Sequence, residues 1–266
     1  MEIVVCIKQV PDPGHIQLDP KTGTIIREGV PAIINTVDKN ALEAALQLRK
    51  INGGRVTVVS MGPPSTVEAL QEALALGADR AALASDRAFA GADTLATSVT
   101  LAALINKTGP FDLVLCGYSS LDGGTAQVGP QTAAILEVPF FTAVQKMEKS
   151  AAGIQVEMET EEGVVAAESS LPALATITKG MNRPRGIRLS EAKKAKNKEL
   201  FTYDLQGLGL SDDQVGEKGS GVCMVEVLPL PAGRDAEIIS GEPEEIAGKI
   251  QGEIMKLGLQ SRGGNK

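Results

Sequence analysis

Through the first 140 residues the chain switches between two hydrophobic periods. Glu2 to Ile7 is a short apolar run of the buried-strand type, and Arg55 to Ser60 (RVTVVS) is a β-branched one. Arg80 to Ala84 and Asp112 to Cys116 repeat the signal. Between them lie stretches with helical spacing. Asp38 to Ile51 places apolar residues at 41, 42, 45, 46 and 48 and stops at Gly53-Gly54. Ser65-Thr-Val-Glu68 has the form of a capping box opening a helix to Leu76, which Gly77 ends. Asp93 caps a helix to about Lys107, and a further helix is predicted over Thr125 to Leu136. Pro11 to Pro31 is rich in Pro and Gly and reads as a loop or hairpin excursion.

Single strands separated by single helices predict an α/β protein with a doubly wound, mostly parallel sheet of the Rossmann-like type. Ligands of such sheets sit beyond the carboxyl ends of the strands. Those ends are Lys8-Gln9, Ser60-Met61-Gly62 and Gly117-Tyr118. After Pro139 the pattern changes. Ile154 to Glu159 and Val164 to Ala167, split by Glu161-Glu162-Gly163, predict a hairpin, and Pro172 to Thr178 one more strand. Leu189 to Lys198 is a short basic helix or solvated run, Val222 to Leu228 an apolar strand, and Pro243 to Leu257 an amphipathic helix ending at Gly258. Residues past about 190 are too sparse in apolar positions to build their own core, so they read as an arm that packs on another surface.

Composition narrows this picture. Of 266 residues 43% are hydrophobic but only 3% aromatic, with no Trp, so the core must be made of Ala, Val, Leu and Ile. A formal net charge of −7 argues against nucleic acid or an anionic membrane as partner. Cys6, Cys116 and Cys223 form no CxxC pair, and Cys6 and Cys116 read as inert core thiols. No apolar run reaches the ~20 residues of a membrane span, no leader precedes the first strand, and a soluble cytoplasmic protein is expected.

Candidate chemistry gathers in LDGGTAQVGPQ, Leu121 to Gln131, directly after the strand at 112–116. It has neither the lysine of a P-loop nor a GxGxxG fingerprint. Its glycines allow close backbone approach, and the N–H groups of a first helical turn favour a phosphate. Thr125 and Gln127 can donate hydrogen bonds without charge. Asp122 would repel a phosphate, so it either orders the loop or accepts from a ribose hydroxyl. The loop reads as an adenine-nucleotide or pyrophosphate site, or as a tight turn before a capped helix. Asn35-Thr-Val-Asp38 sits just before a helix and either meets a ribose or phosphate or supplies ordinary caps. No acid/base pair or nucleophilic constellation is present.

Taken together, VVCIKQVPD at 4–12, Asn35-Thr-Val-Asp38, VVSMGPP at 58–64, ALALGADRA at 73–81, GADTLATS at 91–98 and LVLCG followed by DGGTAQVGP at 113–130 resemble the β subunit of electron transfer flavoproteins, across essentially the whole chain. The DGxTAQVGP form resembles the electron-bifurcating, FAD-binding branch. The resemblance implies a nucleotide/FAD-binding α/β domain at 1–188, and an arm and helix at 189–266 packing on the α subunit. It implies cofactor contacts at Cys6, Asn35, Thr36, Val37, Asp38, Met61, Gly117, Asp122, Gly123, Gly124, Thr125, Ala126, Gln127 and Val128. No catalytic residue and no metal are expected.

The cofactor implied is FAD, or AMP as a structural nucleotide in the non-bifurcating branch, with NAD(H) as redox partner. The partners implied are the α subunit, a flavin-dependent dehydrogenase of acyl-CoA, enoyl-CoA or lactate type, and ferredoxin or flavodoxin. A segment resembling GMNRPRG at 180–186 docks the dehydrogenase in this family, with Arg183, Pro184, Arg185 and Lys193, Lys194, Lys196 and Lys198 suited to an acidic partner or to the α subunit, or, for the lysines, forming a solvated basic face. The chain would then be a subunit of an oxidoreductase complex without stand-alone activity. From another class, a nucleotide-sensing module of similar fold remains open.

Overall fold

A computed structural model describes residues 1–12, 14, 17–18, 25–26, 31–222 and 237–256. The expected strand at 222–228, the lone His15, Cys223 and the glycine stop at 258 lie outside the described residues, apart from Val222 itself. The chain divides into two units, Met1–Val227 and Leu228–Lys266.

In the first unit the strands are β1 (Glu2–Cys6), β2 (Gln9–Pro11), β3 (Gln17–Leu18), β4 (Ile25–Ile26), β5 (Ala32–Ile34), β6 (Arg55–Met61), β7 (Arg80–Ala84), β8 (Leu113–Gly117), β9 (Phe140–Lys149), β10 (Ile154–Thr160), β11 (Gly163–Ser169), β12 (Ala173–Ile177) and β13 (Leu200–Tyr203). The helices are α1 (Thr36–Asn52), α2 (Val67–Leu76), α3 (Thr94–Lys107), α4 (Val128–Ile135), α5 (Leu189–Ala195) and α6 (Leu205–Leu208). Nine strands form one sheet in the order β11-β10-β9-β12-β8-β1-β6-β7-β13. The run from β9 to β13 is parallel, and the β10–β11 hairpin continues it antiparallel. The doubly wound α/β expectation is met.

β1 lies at the centre because both its faces are covered. Ile3, Val5 and Ile7 join α1 and α2 in one core cluster, and Val4 and Cys6 join α3 and α4 in the other. The largest fully buried side chains are all Ile and Leu, as the lack of aromatics requires. Chain order runs from β1 outward through β6 and β7, then returns to the other side of β1 at β8. This reversal is the topological switch point, and the crevice of a doubly wound fold opens there.

Two local expectations differ. Ser65 and Glu68 do not form a capping box: Pro64–Thr66 is a 3-10 turn, and α2 begins after Thr66 with no side-chain cap bond. Proline at Pro64 fixes the tighter turn before the α-helix can start. The predicted helix at Thr125 begins three residues later, at Val128, because Ala126 has φ +55°.

The basic segment is partly built inward. Glu43 on α1 accepts from Arg185 Nε at 2.6 Å and Nη2 at 2.9 Å, and Asn40 exchanges hydrogen bonds with Asn182. Lys198 donates to Leu74 O (2.9 Å) and Ala78 O (2.6 Å), closing the end of α2. Arg185 and Lys198 therefore hold the fold, whereas Arg183, Lys193, Lys194 and Lys196 stay exposed. β13 then adds to the sheet edge beside β7.

In the second unit the described residues contain α7 (Pro243–Lys256), with Ile246, Ile250 and Ile254 at one-turn spacing.

Candidate functional site

The site is assembled at the switch point by tertiary contacts that no local pattern contains. Asp38, in the first turn of α1, is buried. Its Oδ2 accepts from Lys8 N at 2.7 Å and its Oδ1 from Gly117 N at 3.0 Å. One carboxyl group thus pins the carboxyl ends of β1 and β8 to the start of α1. Burial pushes its pKa up to about 7, against the opposing pull of the Lys8 and Gly117 amides and Asn35. Glycine is required at 117, since a Cβ there would stand 3.0 Å from Asp38 N and inside contact distance of Asp38 Oδ1.

Asn35, also buried, reaches the other way. Its Nδ2 donates to Ser119 O at 2.9 Å and its Oδ1 accepts from Leu121 N at 3.2 Å, while its own N–H donates to Lys8 O at 2.8 Å. It is the N-cap of α1 by position but spends its side chain on the glycine loop. The loop is folded back by Gly124 N to Ser120 O at 2.9 Å. Gly124 (φ +65°) and Ala126 (φ +55°) both take the left-handed conformation. Backbone N–H groups in such turns form anion-binding concavities. A Cβ on Gly124 would meet nothing within 4 Å, so the turn faces open space.

Asp122 orders the loop: its Oδ1 accepts from Lys8 Nζ at 2.7 Å. Partial burial opposes its charge, but Lys8 and the Ser120 hydroxyl outweigh it and hold the carboxyl below its usual range. Gln127 Oε1 accepts from Thr94 Oγ1 at 3.1 Å, joining the N-termini of α3 and α4. Lys8 also borders an open crevice of about 250 Å³ with Gln9, Met61, Gly62, Pro63 and Thr66.

Of the expected site residues, Asn35, Asp38, Gly117 and Asp122 are joined by direct hydrogen bonds or through Lys8. Gly123 to Val128 complete the loop and the helix start, and Met61 lines the adjoining crevice. Thr36 is exposed and Val37 half-buried, with no side-chain hydrogen bond for Thr36. Cys6 is buried beneath this row, and burial, with Asp38 behind it, pushes its thiol up to about 12. Burial raises Cys116 likewise, which disfavours the thiolate at both positions. Sequence reasoning missed Lys8 and Thr94. Lys8 was visible only as a strand end, and Thr94 as the residue after a helix cap. Among the described residues no cluster of three or more His, Cys, Asp or Glu could hold a metal, and no helix is long and apolar enough to cross a membrane.

A central parallel sheet, a strand-order reversal and a left-handed glycine turn between two helix N-termini define a Rossmann-like protein of the doubly wound class. The electron transfer flavoprotein domain matches residues 22–205. The chain is 44% identical over 252 residues to the caffeyl-CoA reductase-Etf complex subunit CarD of Acetobacterium woodii, covering 94% of this chain and 96% of that protein. It is 43% identical over 250 residues to the electron transfer flavoprotein subunit beta of Clostridium acetobutylicum, with 94% and 96% covered. To protein FixA of Azotobacter vinelandii it is 43% identical over 268 residues, with 98% and 95% covered. The chain belongs to the electron transfer flavoprotein family, as a β subunit. It is thus one component of an electron transfer assembly completed by an α subunit.

Proposed function

We propose that this β subunit holds FAD at the switch point and works with NAD(H) in flavin-based electron bifurcation. The observation that carries this reading is the neutral, outward-facing turn Gly123-Gly124-Thr125-Ala126, left-handed at Gly124 and Ala126. A diphosphate needs room and backbone donors without nearby negative charge. The side chains here are small and uncharged, and the one flanking carboxylate, Asp122, is matched by Lys8. The residues present therefore fit the group. In this reading the loop from Gly117 to Val128 takes the phosphates, Asn35 to Asp38 the ribose side, and Cys6 and Met61 pack beneath.

The chemistry that FAD supplies when bound is two-electron exchange with NAD(H) and onward transfer of single electrons. The chain's own part is to bind, orient and shield. With an α subunit, one electron would pass to ferredoxin or flavodoxin and the other to a dehydrogenase of acyl-CoA, enoyl-CoA or lactate type. We assign 1–188 to the nucleotide domain, 189–266 to an arm that lends β13 to the sheet edge and beyond it reaches the α subunit, and the assembly to the cytoplasm. Arg183 to Lys196 suits the dehydrogenase: after Arg185 is anchored, Ile187 and Leu189 (87% exposed) project among exposed cations, of which Lys194 rests on Glu191 at 2.9 Å.

Flavin and adenylate are to be counted per αβ heterodimer. Two FAD support the proposal. One FAD with one AMP leaves a one-electron shuttle, and a colourless protein carrying only nucleotide leaves a sensing module. With two FAD, NADH oxidation should require both ferredoxin and an oxidised acceptor, and uncoupled oxidation would overturn bifurcation.

A further inference from the structure

The loop from Gly117 to Val128 contains no Lys or Arg, so any cation serving it must come from elsewhere. Lys8 reaches it from the end of β1. The backbone of residue 8 is held on both sides, its N–H by Asp38 and its carbonyl by Asn35 N. Only its four-carbon side chain is free to choose a partner. That side chain lies between the 250 Å³ crevice and the lip of the loop, where it rests on Asp122 at 2.7 Å.

The pair is half in solvent, with side-chain exposures of 50% and 38%, and ion pairs of this kind are worth little and exchange readily. Asp122 is anchored as well, since Leu121 N is held by Asn35. A carboxylate fixed at the rim of an anion-binding turn is a charge mismatch, and Lys8 cancels it. A phosphate entering the turn offers the same ammonium a partner of higher charge with several acceptor oxygens. Lys39, the neighbouring cation on α1, is already held by Glu72 at 2.8 Å.

We propose that Lys8 is a transferable counter-charge, resting on Asp122 and moving to the phosphate of the bound nucleotide, and that the Asp122 carboxylate, unlike the loop backbone, competes with the ligand for Lys8 and makes no contact with it. This rests on the reading of the loop as a phosphate cradle. Its distinctive consequence is opposite signs for two neighbouring residues. Losing the cation weakens phosphate binding, and losing the carboxylate strengthens it. An Asp122 that accepts from a ribose hydroxyl would give weakening in both.

The test uses the αβ heterodimer with α-bound flavin in place and the β site stripped, titrated with adenosine, AMP and ADP. Lys8→Gln should weaken AMP and ADP about tenfold or more, the scale of a charged hydrogen bond, and change adenosine less than about twofold. Lys8→Arg should retain most of the affinity. Asp122→Asn should tighten AMP and ADP by up to about fivefold, the worth of one exposed ion pair. Equal losses for adenosine and ADP, no loss in Lys8→Gln, or weaker binding in Asp122→Asn would each overturn the proposal. If the unmodified heterodimer binds neither AMP nor ADP, the cradle itself is misassigned. If it binds both and Lys8→Gln matches it, only the role of Lys8 falls. Unchanged thermal unfolding of the variants separates these outcomes from loss of fold.

Discussion

Asp38 ties the start of α1 to two strand ends, and its charge should be readable in the pH dependence of stability. Its carboxyl is raised from an ordinary 3.8 to about 7 by burial. A raised carboxyl favours the folded protein most when protonated. Its contribution is complete below about pH 4 and is lost as pH climbs through 7. Between pH 5 and pH 8 that loss amounts to ~2–3 kcal/mol, at 1.36 kcal/mol per pKa unit. Asp38→Asn removes the titration but keeps the shape. One of the two amide donors, Lys8 N or Gly117 N, then faces an NH2 group, a fixed cost of ~1–3 kcal/mol at every pH. The difference between the two proteins should therefore drift with pH, the parent losing ground by ~2–3 kcal/mol from pH 5 to pH 8. For a chain of this size that is a Tm difference changing by about 5–10 °C. Thermal unfolding of the heterodimer at one fixed concentration, followed by circular dichroism at four pH values, measures it. Parallel Tm curves for the two proteins would refute the reasoning and leave Asp38 ionised throughout.

Other substitutions probe separate parts of the structure. Gly124→Val places a β-branched residue at φ +65° with its side chain in open space. It should cost only ~1–2 kcal/mol of fold stability, yet release the β-site cofactor while α-bound FAD stays, as counted by flavin and adenylate per heterodimer. Arg185→Ala strands the buried Glu43 carboxylate; because the guanidinium is 40% exposed, a loss of about 2–3 kcal/mol is expected, smaller when Glu43→Gln is added, read by urea unfolding. Lys198→Met frees two carbonyls at the end of α2 and should cost about 1 kcal/mol with cofactor content unchanged.

The parts of the fold that could be read in advance are those that local chemistry decides. β1, β6, β7 and β8 are buried on both faces and read as mostly apolar runs, and Asp93 caps α3 through Ala96 N at 3.0 Å as its position predicts. β9 escaped notice because its buried positions, Phe141, Val144 and Met147, break the period of two, and its register with β12 is irregular. β13 is four residues on an edge, with Phe201 and Thr202 exposed, too short for any period. At the site, the glycine turn was legible because left-handed backbone favours glycine. The partner of Asp38 was not. A residue with the position of a helix cap has its acceptors used by amides 30 and 79 positions away, and only the assembled sheet brings those together. Lys8 is hidden for the same reason, its mate lying 114 positions downstream.

The place of β1 also has a consequence for synthesis. Its neighbours, β6 and β8, both follow it in the chain, so β1 is flanked on both sides only when Leu113–Gly117 has left the ribosome. Until then one flank of Ile3-Val4-Val5 offers bare backbone to any extended chain nearby. A nascent or truncated polypeptide ending before residue 113 should clump where the longer one does not, and anything that holds that flank during translation protects the whole.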